Sequence, residues 1–349
     1  MKDKLTDANF PRTADNRVYH LGLKPGEIAN RIVTVGSASR ALTIATHFDK
    51  EPKTLRVLSE RGFQTITGRY KGVPISVISI GMGAPNMDFF IRETREIIIG
   101  DMVVVRLGSC GSLNHTSAPV GTVVVPKACV SITRNVDFDF GSSEDEAIKG
   151  ERAYRISKLV SFHVQGPARH EYVNMLMIFV TGCFYSSQGR LTSFPDHNTH
   201  LVQELLQEVE DLGTLEMETF HLYHLAKCWN NRSQSQAPPD SPSGHIKPPL
   251  TTGPVQPVLL TSSPSEPPKS TSTSVPTLAV NADSKIHVSA AQMVFAARTS
   301  ADRDFITPEK VKDTEEWGGK GVLEALIAYH IPDERLHPEK GTVWSLEDA

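Results

Sequence analysis

Short apolar runs rich in Val and Ile recur along this chain, and several stop at glycine. They are "RIVTVG" (Arg31–Gly36), "ISVISIGMG" (Ile75–Gly83), "MVVVRLGSCG" (Met102–Gly111), "GTVVVP" (Gly121–Pro126) and "MLMIFVTG" (Met175–Gly182). Their lengths and β-branched content predict strands buried on both faces, since a sheet covered by helices has no polar side to enforce alternation. Between the second and third runs, "NMDFFIRETREIII" has the apolar and charged spacing of an amphipathic helix. "NTHLVQELLQEVEDLG" predicts another, with Thr199 as its cap and Gly213 as its stop. Strands and helices alternating around glycine-ended strands give a single α/β domain with a largely parallel sheet.

From about Asn230 to Ser284 the composition changes. Eleven of the 23 prolines fall between Pro238 and Pro276, mixed with Ser and Thr, and aromatic residues are absent. Such a segment buries too little apolar surface to offset its chain entropy, so residues 230–284 are expected to be a disordered insertion. The strand-like "KIHVSAAQMVFAAR" and the helix-like "GGKGVLEALIAYHI" follow it. They are too short to fold alone, which divides one domain into residues 9–229 and 285–345.

A net charge of −4, from 36 basic and 40 acidic residues, argues against nucleic acid or an anionic membrane as partner. The N-terminal "MKDKLTDANFPRTADNR" lacks the apolar core of a signal peptide, and no window reads as a membrane span, so the expected location is the cytosol. Four scattered cysteines without a CxxC pair give neither a disulfide framework nor a zinc pattern.

Three segments carry candidate chemistry. In "VVVRLGSCGSL" a buried strand leads to Arg106, Gly108, Ser109, Cys110 and Gly111. Ligands of α/β sheets sit at the carboxyl ends of strands, where glycine loops admit an anion to backbone N–H groups. A tight turn with a surface arginine is the plainer reading of the same residues. The first strand ends similarly in "GSASR", with Gly36 and Arg40, and Arg61 in "SERGF" is a third arginine. Three guanidiniums with glycine and serine suit phosphate, whose oxygens accept bidentate hydrogen bonds.

In "LEMETF", Glu216 and Glu218 flank Met217. Paired carboxylates serve acid–base chemistry, a metal or sugar hydroxyls, but for the motif alone a solvated helix start is the favoured reading. In "FYSSQGR", an extended backbone would turn Gln188 and Arg190 to one side. An amide beside a guanidinium matches the polar edge of uracil, and Phe184 offers a flat surface; a polar loop after a core strand is the alternative. His20, in "VYHLGL", stands alone. No metal-binding histidine spacing, GxSxG elbow, GxGxxG fingerprint or Walker motif is present.

Taken in order, "VYHLGL", "GSASR", "SERGF", "GMGAPNMDFFIRET", "RLGSCGS", "FYSSQGR" and "LEMET" resemble the uridine phosphorylases of the nucleoside phosphorylase-I superfamily, especially those of protist type. The resemblance implies a three-layer αβα fold with a mixed, largely parallel central sheet. It implies a phosphate site of Gly36, Arg40, Arg106 and Ser109, joined by Arg61 from a neighbouring subunit. It places uracil on Gln188 and Arg190 with Phe184 packed on the nucleoside, and ribose on Glu216, Met217 and Glu218. His20 would reach the 5′-hydroxyl of the partner's nucleoside, making a homodimer the minimal active unit.

Arg106, Gln188 and Arg190 are then the catalytic set, with inorganic phosphate as co-substrate and neither cofactor nor metal. A purine nucleoside phosphorylase, a nucleosidase and a catalytically impaired nucleoside-binding homologue are the alternatives. The chain departs from the family pattern at Ser37 and Ala38, which replace Asp and Pro, and at Gly62, where some bacterial relatives have a cation-binding Glu. It departs again at Cys183 before "FY", and at Ala297-Arg298 in place of Asn-Arg.

Overall fold

The computed structural model describes residues 5–141, 151–161, 173–232, 283–298 and 304–346. A two-stranded ribbon, β1 (Leu5–Thr6) and β2 (Arg12–Thr13), precedes the domain. The main elements then run β3 (Arg31–Val35), α1 (Ala38–Ala45), β4 (Leu55–Leu58), β5 (Gln64–Tyr70), β6 (Val73–Ser79), α2 (Ala84–Arg95), β7 (Met102–Ser112) and β8 (Val123–Arg134). They continue with β9 (Tyr154–Ile156), β10 (Val160–Ser161), β11 (Val173–Thr181), α3 (Leu201–Glu208), β12 (Leu212–Glu216), α4 (Thr219–Asn230), β13 (Ile286–Ala297) and α5 (Pro308–Ala328).

β3 lies between β6 and β7 and is parallel to both, while β5 and β4 extend the sheet antiparallel beyond β6. β7 also pairs with β13 in parallel and β12 antiparallel; β13 reaches β8, β8 reaches β11, and β11 reaches β12. Those five strands therefore close on themselves beside the open part of the sheet. The result is a mixed sheet with parallel central pairs.

Alternation along β3 separates two cores. Ile32 joins Val104, Phe90 and Leu222 under α2 and α4, whereas Val33 and Val35 join Val103, Val105, Ile44 and Leu323 under α1 and α5. Each face buries branched apolar side chains, which accounts for the absence of a polar register in the sequence. Helices above and below give the expected three layers. Among the described residues no helix is long and apolar enough to cross a membrane.

Three local expectations are corrected. The helix expected from Thr199 to Gly213 is shorter: His200 stands at its cap without a side-chain bond, and Gly213 lies buried inside β12. Asp211, with φ 58°, makes the turn instead, and Leu212 and Leu215 enter the core that Leu201 and Leu205 cover. The Gly108–Gly111 stretch is not a loop but part of β7, paired with β13 through Ser112. A Cβ at Gly108 would lie 2.1 Å from Gln292 Oε1, so glycine is required by the close approach of β13. The third correction, to the backbone of Gln188 and Arg190, belongs to the site.

Most of the expected insertion, residues 233–282, lies outside the described residues. The chain on either side of it is joined. Asn230 donates to the Ile286 carbonyl and accepts from the Ile286 N–H, both at 2.9 Å, and Trp229 Nε1 donates to the Ser284 carbonyl at 2.9 Å.

Candidate active site

Arg106, in the middle of β7, meets Glu216 and Glu218 where β12 ends and α4 begins. Arg106 is 3% exposed, Glu216 3% and Glu218 4%, so the carboxylates are not a solvated helix start. Arg106 Nη2 donates to Glu218 Oε2, and its Nε lies 3.9 Å from Glu216 Oε2. Arg106 Nε and Nη1 are buried without a hydrogen-bond partner among the described residues, donor capacity that suits an oxyanion.

Glu216 accepts from the backbone N–H groups of Glu218 at 2.9 Å and Thr219 at 2.8 Å. It thereby occupies the N-terminus of α4, where N–H groups lack intrahelical partners. Burial pushes the Glu216 carboxyl well above the usual carboxylate range; the neighbouring Glu218 adds to this, and the Arg106 guanidinium opposes it. Glu218 accepts from the Gly83 N–H at 2.6 Å. Carboxylate oxygens holding one N–H each retain lone pairs for sugar hydroxyls. Met217, between them, is half-buried.

The second cluster follows β11. Residues Ser186–Gln188 form a 3-10 turn and Gly189 takes a left-handed conformation, φ 62°. The backbone is thus not extended as expected, yet Gln188 and Arg190 converge: Arg190 Nη2 donates to Gln188 Oε1 at 3.3 Å. The left-handed glycine reverses the chain after the turn, and so restores the convergence that an extended segment would have given. A Cβ at Gly189 would sit 2.8 Å from Val202 Cγ2.

The Arg190 guanidinium carbon lies 4.0 Å from the centre of the Phe184 ring, and Phe184 is 41% exposed. Gln188 itself is buried, its Nε2 donating to Thr181 Oγ1 at 3.0 Å. Thr181 in turn donates to the Glu216 carbonyl at 3.3 Å, linking the two clusters. After these bonds the Gln188 amide keeps an N–H and a lone pair.

Arg40 approaches from α1. Ser37 caps this helix by accepting from the Arg40 N–H at 3.3 Å, so the serine in the departed loop has a capping role. Arg40 is buried, with Nη1 donating to the Leu107 carbonyl at 3.2 Å and Nε to Glu315 at 2.8 Å. Burial lowers the Arg40 pKa; the Glu315 carboxylate opposes the shift, and the Arg106 charge adds to it. Two guanidiniums, one from α1 and one from β7, thus feel one another, an arrangement an anion relieves. Gly36 is half-buried at the end of β3, and Ser109 is exposed on β7.

The phosphorylase superfamily matches residues 30–230, more than half of the chain. The chain belongs to the phosphorylase superfamily. Within it, the chain is 29% identical to a uridine phosphorylase of Thermococcus kodakarensis over 241 residues, 67% of this chain and 80% of that one. A DeoD-type purine nucleoside phosphorylase of Oceanobacillus iheyensis is 27% identical over 216 residues, 62% of this chain and 83% of that one. A solved structure from a study of two uridine phosphorylases in the oomycete Phytophthora capsici shares 30% identity and superposes with a TM-score of 0.71, covering 94% of this chain and 100% of that one.

Two expected residues of this superfamily member bond to groups outside both clusters. His20 Nδ1 lies 2.6 Å from Glu93 Oε1, and its ring stacks on Phe89 with centres 3.8 Å apart. Arg61 lies over the Tyr19 ring, 4.9 Å from its centre, and donates to the Tyr19 hydroxyl. Neither forms a hydrogen bond or ion pair with Arg40, Arg106, Gln188, Glu216 or Glu218 within the described chain.

Other residues adjoin the site, and Asn198, Thr181 and Glu315 carry no signature in the sequence. Asn198 holds the base-side turn by donating to the carbonyls of Ser186 at 2.9 Å and Arg190 at 3.1 Å. Arg298 donates to the Gln188 carbonyl at 2.8 Å. Thr181 at the end of β11 completes the set with Gly83 and Glu315, and the last two arrive by long-range packing.

Proposed function

We propose that the chain is a uridine phosphorylase, converting uridine and inorganic phosphate to uracil and ribose 1-phosphate. The observation that carries this reading is the convergence of Gln188 and Arg190 beside Phe184, tied through Thr181 to the backbone of Glu216. An amide with both donor and acceptor capacity, next to a fixed guanidinium, matches the alternating polar edge of uracil. The named uridine phosphorylases among the relatives support the same choice.

Phosphate would be held by Arg40 and Arg106 with Gly36 and Ser109, and ribose by Glu216, Met217 and Glu218. Attack of phosphate on the anomeric carbon breaks the glycosidic bond, and the ribose passes through an oxocarbenium-like state. The bond's electron pair goes to uracil, whose carbonyl oxygens take up negative charge. Arg190 and Gln188 stabilise that charge most strongly in the transition state, where it is largest. Arg106 fixes phosphate and the ribose carboxylates relative to each other. No covalent nucleophile, cofactor or metal enters this scheme.

His20 and Arg61 would serve the site of a second subunit, making a homodimer the active unit. A cytosolic role in pyrimidine salvage accompanies the reading.

A nucleoside panel on purified protein tests it. Uracil release from uridine that requires phosphate is expected. Faster release of hypoxanthine or adenine would favour a purine phosphorylase, and equal rates without phosphate a nucleosidase. Binding of uridine without release of uracil would favour an impaired homologue.

A further inference from the structure

Arg40 is held from the far end of the chain. Its Nε donates to Glu315 Oε1 at 2.8 Å, and its Nη1 to the Leu107 carbonyl at 3.2 Å. The Glu315 side chain is 16% exposed and that of Arg40 is 7% exposed. In a partly desolvated place such a charge-assisted bond fixes the plane of a guanidinium, leaving its remaining N–H groups aimed in a set direction.

α5 comes this close because of two glycines. A Cβ at Gly319 would lie 2.9 Å from Ile44 Cγ1, and one at Gly318 would lie 3.3 Å from Leu107 Cδ1. Glycine inside a helix is unfavourable by itself, so an adjacent pair there is accounted for by close approach to α1 and β7. Gly319 is one helical turn from Glu315, and Ile44 is one turn from Arg40. Contact between the helices at Ile44 and Gly319 therefore sets the reach of Glu315 to Arg40.

We propose that Glu315 is a positioning residue for phosphate, orienting Arg40 through a contact made possible by the close packing of α5 at Gly318 and Gly319. This rests on reading Arg40 as a phosphate ligand. Sign separates positioning from simple electrostatics. A carboxylate near a phosphate site repels phosphate, so if charge alone mattered, neutralising Glu315 would tighten binding. If orientation matters, neutralising it releases the Arg40 side chain, and binding weakens despite the lost repulsion.

Calorimetric titration of the full-length protein with inorganic phosphate measures the difference. Glu315→Gln, which keeps the side-chain shape, is expected to weaken phosphate binding about tenfold, the scale of one charge-assisted hydrogen bond. In turnover the KM for phosphate should rise similarly, with kcat and the KM for uridine little changed. In an Arg40→Met background the same substitution should have less than about a twofold effect, because the two residues act as one unit. Gly319→Ala alters no charge, and is expected to weaken phosphate in the same direction by pushing α5 from Ile44.

Equal or tighter phosphate binding by Glu315→Gln overturns the proposal. So does a full loss that persists in Arg40→Met, and so does wild-type protein that binds no phosphate. Wild-type protein that binds phosphate but releases no uracil contradicts the uridine reading alone, while the calorimetric comparison still decides the role of Glu315.

Discussion

Arg106 and Glu218 form a buried ion pair, with side chains 4% and 5% exposed. The pair locks the middle of β7 to the start of α4, and the second Glu218 oxygen ties both to Gly83 before α2. Removing one partner of a buried pair leaves the other charge uncompensated, at a cost of about 3–5 kcal/mol. Glu218→Ala should therefore lower unfolding stability by about 3 kcal/mol, the lower end because Glu216 remains near Arg106. Urea denaturation measures this, and a loss under about 1 kcal/mol would contradict the structural role of the pair.

Glu216 gives a pH signature. Its folded-state carboxyl is raised by burial first and by the Glu218 charge second. The folded protein therefore holds a proton where the unfolded chain has released it. Stability from this group is full below the ordinary carboxylate range and falls as pH rises toward the raised folded value. Glu216→Gln should flatten that decline. Unfolding free energies measured across the pH range should show a shallower downward slope in the variant than in wild type, and identical slopes would contradict the shift.

Gly189 controls the base-side turn. Its φ of 62° disfavours an L side chain, and an added Cβ would meet Val202 Cγ2 at 2.8 Å. Gly189→Ala should cost about 1–3 kcal/mol of stability and raise the KM for uridine. An unchanged melting temperature together with an unchanged KM would contradict a role for this turn.

Much of the site was legible because its residues lie beside apolar runs that are themselves easy to read. Arg106 ends the apolar part of one such run, and Gln188 and Arg190 follow another. Both ends of a strand are fixed once its core face is fixed, so local pattern carries these positions. The backbone of "FYSSQGR" was less legible: glycine permits a left-handed turn without specifying it, and an extended reading placed the same two side chains together for a different reason.

Glu315 was not legible at all. In "DTEEWGGKG" it reads as one acidic residue on a charged helix, and only the approach of α5 to α1 brings it to Arg40. Gly213 misled in the opposite direction. It resembles a helix stop, but Leu212 and Leu215 are drawn into the core around α3 and make it part of a strand.

The segment between α4 and β13 offers a test of domain organisation. Asn230 already bridges to Ile286 through two hydrogen bonds, so the chain ends that any connection must join are held together by the fold. Loop-closure entropy changes slowly with length. Replacing Ser235 to Thr277 with a short Gly/Ser linker should leave the melting temperature and uridine turnover near wild type. Loss of folding would mean that these residues belong to the domain.

Arg190→Ala should lower kcat/KM for uridine by about a hundredfold or more, as expected when one donor to a developing anion is removed. Gln188→Ala should relax the choice of base, because discrimination requires a partner for the polar edge. Wild-type kinetics in the first variant, or unchanged selectivity in the second, would remove that residue from base recognition.

The most direct measurement is product stoichiometry with purified wild-type protein, uridine and inorganic phosphate, quantifying uracil and ribose 1-phosphate together. Equimolar appearance of the two products, absent when phosphate is withheld, is the expected result. Free ribose in place of ribose 1-phosphate, or no uracil while a purine nucleoside is cleaved, would contradict uridine phosphorolysis at this site.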